Sequence, residues 1–330
     1  MRITNRMMTS SFLNDMQRNL NKMNKIQNQL TSGKEVRRPS DNPFIVARSM
    51  QLNGDISANE QYNSNIKDTI NWLDATDTAL GQLTDTMQRI RELMVSAGNA
   101  AYGEDEKNAI KDEINQRIEE VGTILNSSFD GKYIFGGSRA TFKPVITEKN
   151  DNGNNVISYA GKDGEIIDLN TDSYKEKAQL DMLDKKLSVE ISKGVTMEYN
   201  VTSKQILEFN DGVGESINVM SLLSDITNNI SSKDLDESSK LTNENLKDIT
   251  SSIDNLLKVR AEVGAKQNRM ESAELKNEEE NFNLTEVLSA NEDINFTEKT
   301  MQSATMQTIY MASLQTSAKV IQPSLLDYIR

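Results

Sequence analysis

The chain has 330 residues, with 37 Lys and Arg against 50 Asp and Glu and a net charge of -13, a length that allows two or three domains. Cysteine and histidine are both absent, which excludes disulfides, Cys/His zinc sites, thiol nucleophiles and Ser-His-Asp catalysis, since each needs a soft ligand or a base titrating near neutrality. An acidic chain without a concentrated basic patch is repelled by phosphate backbones, which argues against nucleic acid, and no stretch approaches 18 apolar residues, so neither membrane insertion nor a cleaved signal peptide is expected.

Four prolines, 16 glycines and 36% apolar residues favour long helices packed along narrow seams, elongated rather than spherical. Leu13, Met16, Leu20, Met23 and Leu30 fall on alternating three- and four-residue steps, with Gln27 on the vacant one, and predict a heptad seam. Thr31-Ser32-Gly33 supplies a C-terminal stop, and Pro39-Ser40-Asp41-Asn42-Pro43 reads as a turn ending in an N-cap, so a second helix starts near Pro43. From Ile66 its seam runs Ile70, Leu73, Leu80, Leu83, Met87, Ile90, Met94 and Ala97, with Asp77 as the polar intruder. Continuous from Pro43 to Ala97, this helix is about 80 Å long at 1.5 Å per residue. Gly98 and Gly103 bracket a break, and Ile110, Ile114, Ile118, Val121 and Leu125 mark an amphipathic helix from about Glu104, antiparallel to its predecessor.

The composition then changes. Nine of the sixteen glycines lie in residues 131–214, and eight of the seventeen aromatics lie between Phe129 and Phe209. Val156 to Tyr159, Glu165 to Leu169 and the alternating Val195 to Val201 read as strands, with Asn150 to Asn155 as a turn. A small β-rich insert, residues 137–215, therefore interrupts the helices. Helix resumes near Glu215. Ile249, Ile253, Leu256, Val263 and Met270 restore the heptad steps, with Arg260 and Gln267 at seam positions. Asp77 and Arg260 either make a specific interhelical contact or lie at the bundle edge on their aliphatic neighbours. Gly264 within a helix suggests close helix approach, and Trp72 reads as a core anchor.

The last helical stretch, Asn291 to Gln322, carries Met301, Ala304, Thr308, Met311 and Ala318 on one face, a stripe so thin that a partner must cover it; Pro323 ends it. Residues 1–40 hold eight basic and two acidic groups, whereas residues 270–300 hold nine acidic and two basic, so the two ends attract. Three suggestive motifs dissolve on inspection. Asn150-Asp151-Asn152-Gly153 lacks the alternating acids and terminal Glu of a calcium loop. The segments at Gly136 and Thr31 lack phosphate-loop spacing. Glu278-Glu279-Glu280 reads as a solvated helix face. No residue is singled out as catalytic, cofactor-binding or metal-ligating, and no cofactor is implied.

Helical termini around a β insert resemble the bacterial flagellin superfamily, and four motifs in order carry the resemblance. They are Leu30-Thr31-Ser32-Gly33-Lys34 with Arg38-Pro39-Ser40-Asp41-Asn42-Pro43, Met87 to Asn99, Val259 to Arg269, and Gln322-Pro323-Ser324-Leu325-Leu326. Asn42-Pro43, the opening Met1-Arg2-Ile3-Thr4-Asn5 and Gly131-Lys132-Tyr133-Ile134-Phe135-Gly136-Gly137 look like the hook-associated protein 3 branch, whose members form the hook-filament junction. The resemblance covers about residues 1–140 and 240–330.

It implies a non-enzymatic, mainly α subunit: an antiparallel helical bundle of N- and C-terminal segments with a small β-rich insert. The expected division is a terminal assembly domain (1–40 with 290–330), a core rod (41–136 with 216–289) and the insert (137–215). Further implications are export through the flagellar type III apparatus, an extracellular place in the flagellum, and a homo-oligomeric ring. Expected partners are the adjacent junction protein, flagellin and an export chaperone. The assembly interface is expected at Leu13, Met16, Leu20, Met23, Leu30, Arg89, Arg260, Gly264, Asn268, Arg269, Met301, Met311, Leu325 and Leu326. A short flagellin, or a secreted type III tip protein or adhesin, are the alternative readings.

Overall fold

The computed structural model describes residues 5–98, 103–150, 152–167, 173–211, 214–231 and 235–320. Helix α1 (Asn5–Ser32) ends where Gly33 enters the left-handed region at φ 71 and its N–H closes onto the Gln29 carbonyl at 2.8 Å, a glycine stop. Helix α2 (Pro43–Ala97) starts at the proline. Asn42 caps it, its Oδ1 accepting from Ile45 N–H at 3.4 Å and its carbonyl from Val46 N–H at 3.2 Å. Helix α3 (Glu104–Leu125) opens with Glu104, Asp105 and Glu106 at its positive end, as the helix dipole favours.

Among the described residues four separate antiparallel strand pairs follow, between α3 and the long C-terminal helices. β1 (Ser128–Phe129) pairs with β2 (Lys132–Tyr133) around Asp130 and Gly131, both at positive φ. β3 (Val145–Lys149) pairs with β4 (Asn155–Tyr159), Val145 opposite Tyr159. Asn150 Oδ1 accepts from the N–H groups of Asn152 and Asn154, each at 3.0 Å, so this motif is the expected hairpin turn. After α4 (Tyr174–Asp184), β5 (Ser188–Ser192) pairs with β6 (Val195–Glu198) across a bulge between Glu190 and Ser192. Helix α5 (Ser203–Leu207) leads into β7 (Glu208–Asn210), which pairs with β8 (Ser216–Asn218). The chain then continues as α6 (Val219–Ser231), α7 (Leu235–Glu292) and α8 (Phe296–Val320).

Three expectations need correction. Glu165 to Leu169 is not a described strand: Ile166 makes one isolated bridge to Ala160, while Asp168 and Leu169 lie outside the described residues. Helix does not resume at Glu215, because Ser216–Asn218 is taken up by pairing with β7, and α6 begins at Val219. The final helix does not run from Asn291. The chain breaks after Glu292, and α8 starts at Phe296 under an Asn295 cap whose Oδ1 accepts from Glu298 N–H at 3.3 Å.

Contacts divide the chain into two compact units, Met1–Glu60 with Glu279–Arg330 and Gln61–Glu278. In the second unit, α2 buries Ile66, Thr69, Leu73, Thr76, Leu80, Leu83, Met87, Ile90, Met94 and Ala97, an unbroken alternation of three and four. Thr69 and Thr76 therefore occupy the places expected of Ile70 and Asp77. Their hydroxyls donate back to the carbonyls of Asn65 and Trp72 at 2.7 and 2.8 Å, which satisfies the buried oxygen without a partner helix. Trp72 is 7% exposed, its ring edge-on to Phe129 at 6.2 Å and to Tyr199 at 6.0 Å.

The β3–β4 hairpin shares this core. Val145 and Ile157 are buried with α3 and α6, and Asn155 donates two 2.9 Å bonds to Asn115 of α3, from its backbone N–H to Oδ1 and from Nδ2 to the carbonyl. Gly122 is the point of closest approach, since a Cβ there would overlap Thr147 Oγ1.

Candidate assembly surfaces

Within the second unit, α2 and α7 run antiparallel, as successive cross-helix bonds show. Arg260 Nε and Nη2 donate to Asp77 Oδ1 and Oδ2 at 2.7 and 3.0 Å. Gln267 Nε2 donates to Asp74 Oδ1 at 2.5 Å, and Lys67 meets Glu274 at 3.4 Å. The two polar residues expected on the α7 seam instead flank it, beside buried Val259, Val263 and Met270, and reach over to acids on α2. Of the two readings of Asp77 and Arg260, the specific contact is the one observed. The hydrogen-bonded Asp77 carboxylate raises the Arg260 guanidinium above its ordinary range. The Arg260 guanidinium passes over Gly81, where an added Cβ would make an ordinary contact at 3.6 Å.

Gly264 is not a point of close helix approach. A Cβ added there meets nothing within 4 Å. Asn268 and Arg269 are exposed nearby, and Leu257, Ala261, Ala265, Ser272 and Leu275 continue an exposed face along α7. Arg89 serves a different pairing, donating to Glu113 of α3 at 2.9–3.0 Å and to Glu92 at 3.1 Å; its bond to Glu113 raises its pKa.

In the first unit α1 packs against α8, on a seam that keeps Met16, Leu20, Met23 and Leu30 of the expected one and departs from it at Leu13 and Gln27. Half-buried positions on α1 are Thr9, Phe12, Met16, Asn19, Leu20, Met23, Ile26 and Leu30, while Gln27 is exposed and Leu13 is 52% exposed. On α8 the half-buried positions are Lys299, Ser303, Met306, Tyr310, Ser313 and Ser317. Met301 and Met311, expected on one apolar face, do share it, but that face points outward at 65% and 58% exposure. Leu325 and Leu326 lie outside the described residues.

Among the described residues of this unit no apolar side chain is fully buried. The nine-tenths-buried ones are polar: Gln29, Ser49 and Asn59. Large apolar side chains stand exposed on several of its elements, including Met7, Phe44, Met50, Phe282 and Phe296. Helices whose apolar side chains remain in water lack the usual source of helical stability in proteins, tertiary packing.

Polar bonds concentrate where α1 ends and α8 begins. Lys34 and Asp293 form an isolated antiparallel bridge, with Glu35 N–H donating to the Glu292 carbonyl at 2.6 Å and Ile294 N–H to the Gly33 carbonyl at 3.0 Å. Lys34 Nζ binds both Glu292 and Asp293, the latter at 2.7 Å, and Lys299 Nζ lies 3.1 Å from Glu35. The hydrogen bond to Asp293 raises the Lys34 pKa, and the reciprocal bond depresses that of Asp293. The opposite charge of the chain ends forecast this attraction, though not these residues.

Residues 3–140 match the family model of the bacterial flagellin N-terminal helical region. A flagellin of Clostridium tyrobutyricum is 30% identical over 138 residues, covering 42% of this chain and 37% of that protein, so the chain spans well under half of that relative. Flagellar hook-associated protein 3 of Escherichia coli K12 is 22% identical over 293 residues, 86% of each chain. The crystal structure of flagellar hook associated protein-3 from Legionella pneumophila superposes with a TM-score of 0.58 at 14% identity, over 73% of this chain and 98% of that one. That likeness is one of fold. Residues 3–140 are thus similar to the helical region of bacterial flagellins, and the chain has the fold of hook-associated protein 3.

Proposed function

We propose that this chain is a non-enzymatic structural subunit of the junction between flagellar hook and filament. One observation carries the reading: the first unit has exposed apolar side chains on several elements and no fully buried one among its described residues. Neighbouring subunits would supply the missing core, so that burial of these side chains drives assembly. The fold shared with hook associated protein-3 of Legionella pneumophila, together with the alignment to hook-associated protein 3 of Escherichia coli over most of both chains, supports a junction subunit. On this reading copies of the chain form a ring, with the adjacent junction protein on one side and flagellin on the other. The chain reaches that extracellular site through the flagellar type III apparatus, held by an export chaperone until secretion.

The face of α7 around Gly264, Asn268 and Arg269 and the outward face of α8 around Met301 and Met311 are the proposed contact surfaces. Gene deletion with electron microscopy tests the function. Hooks without filaments, with flagellin released to the medium, are expected; loss of the filament protein itself, or unchanged motility, would contradict the junction role.

A further inference from the structure

The second unit holds an open cleft of about 900 Å³ between α2, the β1–β2 hairpin and the β5–β6 pair, a size that suits a small-molecule ligand. Three of its lining side chains are aromatic: Trp72, Phe129 and Tyr199. The Phe129 and Tyr199 rings stand at 89° to the indole, the edge-on geometry that aromatic pairs prefer, so the rings hold one another in place before any ligand arrives. Buried Asn200 fixes the strand ends that present Tyr199. Its Oδ1 accepts from Leu187 N–H at 2.7 Å, and the Leu187 carbonyl accepts from Tyr199 N–H at 3.1 Å. Trp72 is more than nine-tenths buried, yet its indole N–H donates to no acceptor among the described residues. Buried donors in native proteins are rarely left without a partner, and each that is calls for an explanation.

The rest of the lining is largely polar. Asp68 and Asn71, three residues apart and so on one face of α2 with Trp72, are exposed, as are Lys132 after the first turn and Ser188 on β5. A quaternary ammonium would need the rings but not these hydrogen-bonding groups, and Lys132 would repel it. A sugar ring matches both halves of the cleft. Its C–H face carries the partial positive charge that aromatic faces attract, and its hydroxyls donate to a carboxylate and accept from amide and ammonium groups. We propose that this cleft binds a short neutral oligosaccharide, with a pyranose ring against Phe129 and Tyr199 and its hydroxyls on Asp68 and Asn71. The site lies wholly within Gln61–Glu278 and is independent of the junction role.

Trp72 is the single tryptophan of the chain, so intrinsic fluorescence of the full-length protein reports this cleft alone. Titration with cellotriose and with triacetylchitotriose, whose equatorial substituents leave flat C–H faces, should give a saturable change in emission for at least one of them, with a dissociation constant on the order of 0.1–1 mM. Choline is the cationic control. Asp68→Ala with Asn71→Ala, both at exposed helix positions, should weaken that binding about tenfold or more while shifting the melting temperature by no more than about 2 °C. Ser188→Leu, exposed on β5, should obstruct the same titration from another element, which keeps the test independent of any change in α2. No saturable response to either sugar at up to about 20 mM would overturn the proposal, as would a response to choline alone. Sugar binding that both variants leave unchanged would also overturn it, since the sugar would then sit elsewhere.

Discussion

Replacing Gly264 by leucine separates folding from assembly, because the structure sets opposite expectations for the two. Glycine in a helix interior is about 1 kcal/mol less favourable than alanine, and leucine is within a few tenths of alanine. The site is open, with nothing within 4 Å of an added Cβ, so no packing penalty offsets that gain. The free chain should be stabilised by about 0.5–1 kcal/mol. For a unit of the size of Gln61–Glu278 that raises the melting temperature by about 1–4 °C. If the exposed α7 face packs against a neighbouring subunit, a branched side chain in its middle pushes the neighbour away, at a cost of about 1–3 kcal/mol per contact, repeated at every subunit.

The assay pairs thermal unfolding of purified Gly264→Leu protein with complementation of a deletion strain. Expected are a slightly raised melting temperature, mutant protein in the medium, and cells with hooks but no filaments. A lowered melting temperature would refute the open geometry at Gly264. Normal filaments would refute the assignment of this face to assembly.

Arg260→Glu is a contrasting case, since it acts within the chain: losing the bidentate bond to Asp77 and setting two carboxylates side by side should destabilise the monomer by about 1–2 kcal/mol, given the partial exposure of the pair. Adding Asp77→Arg should recover most of this in a double-mutant cycle read by urea unfolding. Gly137→Ala should destabilise the chain by about 2 kcal/mol or more, because Gly137 sits at φ 58 with the Leu183 and Met182 carbonyls where a Cβ would go; chemical denaturation measures it.

The helices were largely legible in the sequence because their ends carry local signals. Gly33, the Asn42-Pro43 cap and the apolar periodicity of α2 and α3 act within a turn or two. Face assignments were less secure. A 3.6-residue period makes an apolar stripe broad enough to admit two heptad readings one residue apart. Thr69 and Thr76 won over Ile70 and Asp77 because a back-bonded threonine is small and internally satisfied. Phe12 and Ile26 similarly drew the α1 seam away from Leu13 and Gln27. Asn295 with Glu298 three residues on was a readable capping signal for the start of α8. Gly122 was not readable as a site of close approach, nor Gly264 as an open one, since what faces a glycine depends on pairing between residues far apart in sequence.

The polar character of the α1–α8 seam yields a last prediction. Ser303, Ser313 and Ser317 occupy half-buried positions on α8 opposite an α1 edge that offers methionine, isoleucine and leucine. A self-sufficient helix pair would place leucine there, as α2 does at Leu73, Leu80 and Leu83, all at most 2% exposed. Ser303→Leu with Ser313→Leu should therefore close the seam. Half-burial of each leucine gives about 1 kcal/mol, so the pair gains about 2 kcal/mol and α1 amides exchange roughly thirtyfold more slowly. If assembly requires α1 and α8 to give up contacts with each other for contacts with neighbouring subunits, that gain opposes it, and the double variant should form fewer or shorter filaments despite a more stable monomer. Undiminished filaments from a variant with the slower exchange would mean that α1 and α8 enter the assembly as the pair seen in the single chain. Undiminished filaments with unchanged exchange would mean that the seam is not where the two helices touch.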